Sequence, residues 1–275
     1  MNTTVKITGN AIPTKEKDNK NNMNTTNSQK QLYGLLGYPL IHSFSKTFFN
    51  EKFIAENIPA EYINFEIDKI ELIKKVIVEN PELMGLNVTL PYKEAVIPYM
   101  NEMDETARMI GAVNVIKFIR EKGKLKLKGF NSDIIGFTDS IRPLLNSEHK
   151  KGLILGTGGA SKAVWYGLLS LGITPQLVSR TAKKDVLTYE DLTPEIMSEY
   201  TVIINTTPLG MYPHTATCPP IPYEQLTNKH LVYDLIYNPD QTLFMEKASK
   251  QGAVTKNGLE MLLLQAFASW DIWHR

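Results

Sequence analysis

The sequence predicts an α/β protein of two units in series, with a final helix that returns to the first unit. Three observations predict it. Short β-like apolar runs alternate with helix-length segments from Leu32 onward, the pattern of an α/β fold. The 275 residues suit about two domains at roughly 150 residues each. The closing stretch 258–273 is apolar on nearly every face, yet Gln265, Ser269 and Asp271 interrupt it, and it is too short and too polar to span a bilayer.

Residues 1–31 are rich in Asn, Thr and Lys and carry no periodic apolar pattern. Such a segment cannot bury enough surface to offset its ordering entropy, so a disordered tail is expected, with Met23 an alternative start. It lacks the apolar run and small-residue cleavage site of a secretory signal, which makes a cytoplasmic location the expectation. In the first unit, strands are expected at 33–36, 62–67, 86–90 and 115–119, and helices at 45–57, 69–79 and 91–100. In the second, strands are expected at 153–155, 176–179, 202–205, 231–235 and 253–255, separated by helix-length segments.

Thirty basic and 29 acidic residues leave a formal charge of +1, so no broad field exists to attract nucleic acid or an anionic membrane. One cysteine, Cys218, cannot form an internal disulfide, and the five histidines show no metal-ligand spacing. No metal is therefore expected.

Gly156, Thr157, Gly158, Gly159 and Ala160 follow an apolar strand and open a helix. Glycines there let backbone amides approach a pyrophosphate, and the helix N-terminus adds partial positive charge. The other reading is a tight turn in an ordinary βαβ unit. Ser161 stands where a third glycine is usual. The next strand ends in Ser179-Arg180-Thr181, with Lys183 and Lys184 beyond, where an NAD site commonly places a carboxylate. Cations suit a ribose 2′-phosphate, which argues for NADP; a solvated basic loop is the alternative.

In the first unit, Lys93 falls in the first turn of a helix opened by Pro91, where a cation opposes the macrodipole. Local rules are broken most often at functional sites. Lys93 is then either a group for proton transfer or a surface lysine neutralised by Glu94. Asp133 either caps the following helix or faces a cleft beyond the strand ends, where with Lys93 it can exchange a proton with a substrate hydroxyl. Ser43 and Ser45 either cap a helix or bind a carboxylate. Asn87, Thr89 and Asn114 fall at strand ends and carry both donors and acceptors suited to a polyol, though each also suits a turn.

Taken together, 34–46 (GLLGYPLIHSFSK), 87–93 (NVTLPYK), 111–114 (GAVN), 131–133 (NSD), 156–161 (GTGGAS) and 258–261 (GLEM) resemble the shikimate dehydrogenases. The resemblance runs from about Tyr33 to the end and keeps its motif order. It implies an α/β fold with a substrate domain at 32–131, completed by 258–275, and a Rossmann-like NADP-binding domain at 132–257. It implies reversible, NADP-dependent reduction of 3-dehydroshikimate to shikimate in the biosynthesis of chorismate and aromatic amino acids, by a monomer or homodimer.

Carried over by position, the resemblance makes Lys93 and Asp133 the catalytic pair. It sets Ser43 and Ser45 on the substrate carboxylate, Tyr237 on the carboxylate side, and Asn87, Thr89, Asn114, Asp133 and Gln265 around the ring hydroxyls. Gly156 to Ala160 would hold the pyrophosphate, and Ser179, Arg180, Thr181 and Lys184 the ribose phosphate. Thr206, Leu235 and Gly258 would lie near the ribose and nicotinamide. The chain departs from the family pattern in having Lys46 for proline, and Ser179 and Lys184 for the usual asparagine and arginine. A lysine offers a point charge and no bidentate fork, which weakens the preference for NADP. Quinate or quinate/shikimate dehydrogenase is the near alternative, with methylenetetrahydrofolate dehydrogenase and a non-catalytic nucleotide sensor as the more distant ones.

Overall fold

The structure, a computed structural model, describes residues 30–40 and 44–275. The expected tail through residue 29, Met23 within it, lies outside the described residues, as do His42 and Ser43. Gln31, at the end of that expected tail, already belongs to the first strand, because its N–H bonds the Pro59 carbonyl at 2.9 Å.

The first unit contains strands β1 (Gln31–Gly37), β2 (Ala60–Glu66), β3 (Leu83–Val88), β4 (Glu102–Met103), β5 (Val115–Glu121) and β6 (Lys124–Phe130). Among the described residues they form one sheet in the order β2-β1-β3-β5-β6-β4. Pairing is parallel through β2, β1 and β3, then antiparallel from β3 to β5 and from β5 to β6. Helices α1 (Phe44–Ala55), α2 (Ile73–Glu79), α3 (Tyr92–Ala95) and α4 (Glu105–Ile110) connect them.

Alternation along each strand sends side chains to two separate cores. Leu32 and Leu36 of β1, Leu86 of β3 and Ile116 of β5 pack with Ile73 and Val76 of α2 and Val96. On the other face, Tyr33, Tyr62 and Val115 pack with Phe49 and Phe53 of α1 and with the last helix. Burying each large aromatic contributes about 1.5–3 kcal/mol.

The second unit has β7 (Lys151–Leu155), β8 (Thr174–Ser179), β9 (Leu187–Thr188), β10 (Val202–Asn205), β11 (Leu231–Asp234) and β12 (Val254–Lys256), in the order β12-β11-β10-β7-β8-β9, all parallel. Helices α5 (Asp133–Ile141), α6 (Gly159–Ser170), α7 (Pro194–Glu199) and α8 (Leu243–Lys250) accompany it. The strand order reverses between β7 and β10, which opens a crevice beyond their carboxyl ends, the usual dinucleotide position of a Rossmann sheet. One face packs Ile154, Ile204 and Tyr233 on Phe137 of α5 and Val164 and Leu168 of α6. The other packs Leu155, Ile203 and Val232 on Met197 and Phe244.

Helix α9 (Leu259–His274) leaves the second sheet and returns to the first, as expected. Met261 joins the core around Phe137, whereas Ala266, Ile272 and Trp273 join the aromatic core around Tyr33. The Trp273 indole N–H donates to the Ile116 carbonyl at 3.1 Å. No helix of the described residues is long and apolar enough to cross a membrane.

Two expectations are corrected. The single helix expected at 91–100 is α3 followed by a 3-10 turn at Ile97–Tyr99, because Pro98 lacks an N–H and disfavours the α region at Ile97. The helix expected at 69–79 likewise opens with a 3-10 turn, Ile70–Leu72, before α2.

Candidate active site

Lys93 and Asp133 approach each other at the junction of the two sheets. The chain leaves β3 through Thr89, Leu90 and Pro91 and turns into α3, which sets Lys93 in its first turn. The Val113 N–H donates to the Lys93 carbonyl at 2.7 Å, so the backbone carrying Lys93 is tied to the residue before Asn114. Asp133 is the first residue of α5. Lys93 Nζ donates to Asp133 Oδ2 at 2.6 Å, and Asn114 Nδ2 donates to Oδ1 at 2.8 Å. Both charged side chains are less than one-fifth exposed, at 18% and 11%, so their attraction is screened less than that of a surface pair.

The structural alternatives raised for these two residues can be compared with their observed partners. Glu94 does not neutralise Lys93; it pairs with Lys162 of α6 at 2.8 Å, across the two sheets. The Asp133 carboxylate is engaged by Lys93 and Asn114, and no side chain caps α5 from the N-cap residue Ser132.

Asn87 is buried, with Oδ1 accepting from the Tyr62 hydroxyl at 2.8 Å and Nδ2 donating to Ser269 Oγ at 2.9 Å. Burial holds the Tyr62 phenol well above its ordinary pKa, opposed by a hydrogen bond to Ser45. Thr89 is half-buried where β3 ends, its N–H on the Leu36 carbonyl at 2.9 Å. Gln265 reaches toward the same place from α9, its Nε2 on the Leu262 carbonyl at 2.8 Å and its Oε1 3.5 Å from Ser132 Oγ. Tyr237 is exposed after β11, its ring edge-on to Phe44 at the start of α1, 6.2 Å between centroids. Ser43 lies outside the described residues.

The glycine loop has the shape of an anion cradle. Gly156 takes φ +110°, a left-handed backbone that a side chain rarely adopts. A Cβ built on Gly158 or Gly159 meets no atom within 4 Å, so the N-terminus of α6 faces open space that a side chain would fill. Ser161, in the third-glycine position, folds its hydroxyl back onto the Gly158 carbonyl at 2.6 Å and stays buried. Beyond β8 the Ser179 hydroxyl accepts from the Thr181 N–H at 3.1 Å, closing the turn that leaves Arg180, Thr181 and Lys184 exposed. Thr206 donates its hydroxyl to the Leu155 carbonyl at 2.8 Å, joining β10 to β7 at the crevice. Gly258 sits against Leu235, whose carbonyl oxygen would lie 2.0 Å from an added Cβ. An open helix N-terminus beside exposed cations fits a phosphorylated dinucleotide.

Comparison with known proteins is decisive at the level of family. Residues 35–116 match the family model for the shikimate dehydrogenase substrate binding domain. A relative from Methanosphaera stadtmanae named shikimate dehydrogenase (NADP(+)) is 37% identical over 259 residues, covering 87% of this chain and 90% of the relative. The chain belongs to the shikimate dehydrogenase family. A solved shikimate dehydrogenase in complex with NADP+ superposes with a TM-score of 0.78 at 32% identity, covering 90% of this chain and 91% of the other. Shikimate 5-dehydrogenase from Thermus thermophilus, in complex with NADP(H) and shikimate, gives a TM-score of 0.76 at 26% identity over 88% and 93% of the two chains. The match to the shikimate dehydrogenase substrate domain contains Lys93 and Asn114 and ends before Asp133.

Sequence reasoning missed four residues around this site. Tyr62, Ser132 and Ser269 make the hydrogen bonds that hold Asn87 and Asn114. Ser269 carried a signal, since it stands one helical turn after Gln265 in an otherwise apolar stretch. Asp234, at the end of β11, is fully buried and accepts from Thr242, Asn205 and the Ile236 N–H. Burial pushes its carboxyl up to about 6, against those three hydrogen bonds.

Proposed function

We propose that this enzyme is an NADP-dependent oxidoreductase that interconverts 3-dehydroshikimate and shikimate, a step toward chorismate and the aromatic amino acids. The observation that carries the reading is the Lys93–Asp133 pair, 2.6 Å apart, placed where the two sheets meet. NADPH, when bound, supplies the hydride that adds to the ring carbonyl carbon. Lys93 donates the proton that the carbonyl oxygen takes up as it becomes a hydroxyl, and Asp133 holds the ammonium in place and shares the proton in the reverse direction.

Ser43 and Ser45 take the substrate carboxylate, with Tyr237 on that side, while Asn87, Thr89, Asn114 and Gln265 contact the ring hydroxyls. The open glycines of the α6 N-terminus support a pyrophosphate contact by 156–160. Exposed Arg180 and Lys184, with Thr181 and the turn closed by Ser179, support a 2′-phosphate contact. Thr206, Leu235 and Gly258 border the nicotinamide end. Residues 32–131 with 258–275 form the substrate domain in this reading, and 132–257 the cofactor domain. The enzyme works in the cytoplasm as a monomer or homodimer, without nucleic acid or membrane; fractionation and sedimentation test these assignments.

The deciding experiment follows the absorbance of reduced nicotinamide with shikimate and NADP, beside shikimate with NAD and quinate with either cofactor. Turnover with shikimate and NADP supports the proposal. Turnover mainly with quinate or NAD replaces it, and binding of NADP without turnover of any substrate rejects an enzymatic role.

A further inference from the structure

We infer that Ser269, acting with Ser132, is a positioning residue that sets which end of the Asn87 and Asn114 side-chain amides faces each neighbour, and so fixes the donor and acceptor pattern offered to a polyol substrate. The inference rests on the proposed reading of Asn87 and Asn114 as contacts to the substrate ring.

Ser269 is fully buried on α9, and its Oγ lies 2.8 Å from the Gln265 carbonyl oxygen. A carbonyl can only accept, so the one hydroxyl hydrogen of Ser269 points at it, and every other neighbour of Oγ meets a lone pair. Asn87 approaches to 2.9 Å and must therefore present its NH2 group. Its Oδ1 is thereby turned to the Tyr62 hydroxyl, 2.8 Å away.

The same direction propagates the other way. Ser132 Oγ, 3.1 Å from Ser269 Oγ, has to be the donor of that pair. Its remaining lone pairs accept from Asn114 Nδ2 at 3.0 Å, while the Ser132 N–H donates to Asn114 Oδ1 at 2.6 Å. Asn114 is left with one amide hydrogen, which reaches Asp133 Oδ1 at 2.8 Å. One O–H direction on the returning helix thus orients both amides and extends to the carboxylate that holds Lys93. Turning either amide over would set oxygen against oxygen in a buried site.

The test is a double-mutant cycle read as shikimate affinity of the cofactor-free protein by calorimetry, with kcat and both KM values alongside. Ser269→Ala is expected to weaken shikimate about tenfold, the scale for stranding buried donors, while the KM for NADP stays within about twofold and the protein melts cooperatively. Asn87→Ala is expected to weaken shikimate at least as much, and the double variant by clearly less than the product of the two single losses, because part of the Ser269 effect passes through Asn87 and the rest through Ser132 and Asn114. Additive losses, or an unchanged affinity in Ser269→Ala, overturn the inference. Should Ser269→Ala fail to fold, the cycle of Ser132→Ala with Asn114→Ala reads the same coupling with the same two outcomes. A wild-type protein that binds NADP but no shikimate is a separate result: it overturns the functional reading and removes the ring contacts required here.

Discussion

Lys93 and Asp133 are forty residues apart in the chain, yet Nζ and Oδ2 lie 2.6 Å apart, and the carboxylate is held on its other side by Asn114. The lysine enters from the end of β3 and the aspartate from the start of α5, so the pair forms only when both connections are in place.

Lys93→Ala is expected to lower kcat by about a hundredfold or more, the scale of lost acid–base help. The variant should still melt cooperatively, so that the lost turnover is not a lost fold. Steady-state kinetics beside a thermal melt check this, and an undiminished kcat removes Lys93 from proton transfer.

Cofactor choice is expected to reside in the exposed turn after β8. Arg180→Ala should raise the KM for NADP about tenfold or more while leaving the KM for NAD nearly unchanged, because a charge-assisted contact to a 2′-phosphate has no counterpart in NAD. Equal losses with both cofactors would assign Arg180 to the fold or to the common part of the dinucleotide.

Asp234 makes stability depend on pH in the less usual direction. Burial raises its carboxyl from 3.8 to about 6 in the folded protein, so the native state holds this proton more tightly than the unfolded chain. Its contribution to stability is complete below about pH 4 and is lost as pH rises through about 6, by on the order of 3 kcal/mol. Asp234→Asn has no proton to lose, so the difference in melting temperature between variant and wild type should move in the variant's favour from pH 4 to pH 7. A difference that stays constant across this range would mean that the carboxyl titrates as it does in the unfolded chain.

Gly258 admits no side chain. A Cβ there would lie 2.0 Å from the Leu235 carbonyl oxygen, and backbone cannot swing aside as a flexible side chain does. Gly258→Ala is expected to cost about 1–3 kcal/mol or more, read by urea unfolding, and to disturb the entry to α9.

Much of this architecture could be read from local pattern. The alternation of 153–155, 202–205 and 231–235 with helical segments announced a parallel sheet, and Gly156 to Ala160 announced the crevice where its strand order turns. Lys93 stood out because it breaks a rule for helix N-termini, and the structure supplies the opposing charge from a distant element. The β5–β6 pairing was not foreseen, although Lys122 and Gly123, with φ +49° and +74°, give the two positive dihedrals of a tight hairpin turn. Glycine announces such a turn, whereas lysine adopts it only under the pull of strand pairing. Ser132 and Tyr62 stayed hidden, and Ser269 showed only as a polar interruption whose partner could not be read. A serine in an apolar helix looks the same whether it bonds its own backbone or a side chain from another strand, and only the tertiary contact tells them apart.

Helix α9 is synthesised after every strand of the second sheet, but its Trp273 ring covers Tyr33 of the first strand, 4.8 Å between centroids. At the pace of translation, about 5–20 residues per second, Tyr33 waits on the order of ten to fifty seconds for that cover. Until then this aromatic cluster has the rings of α1, Phe49 and Phe53, and lacks those of α9. The first sheet to be synthesised is thus the last to have its core completed.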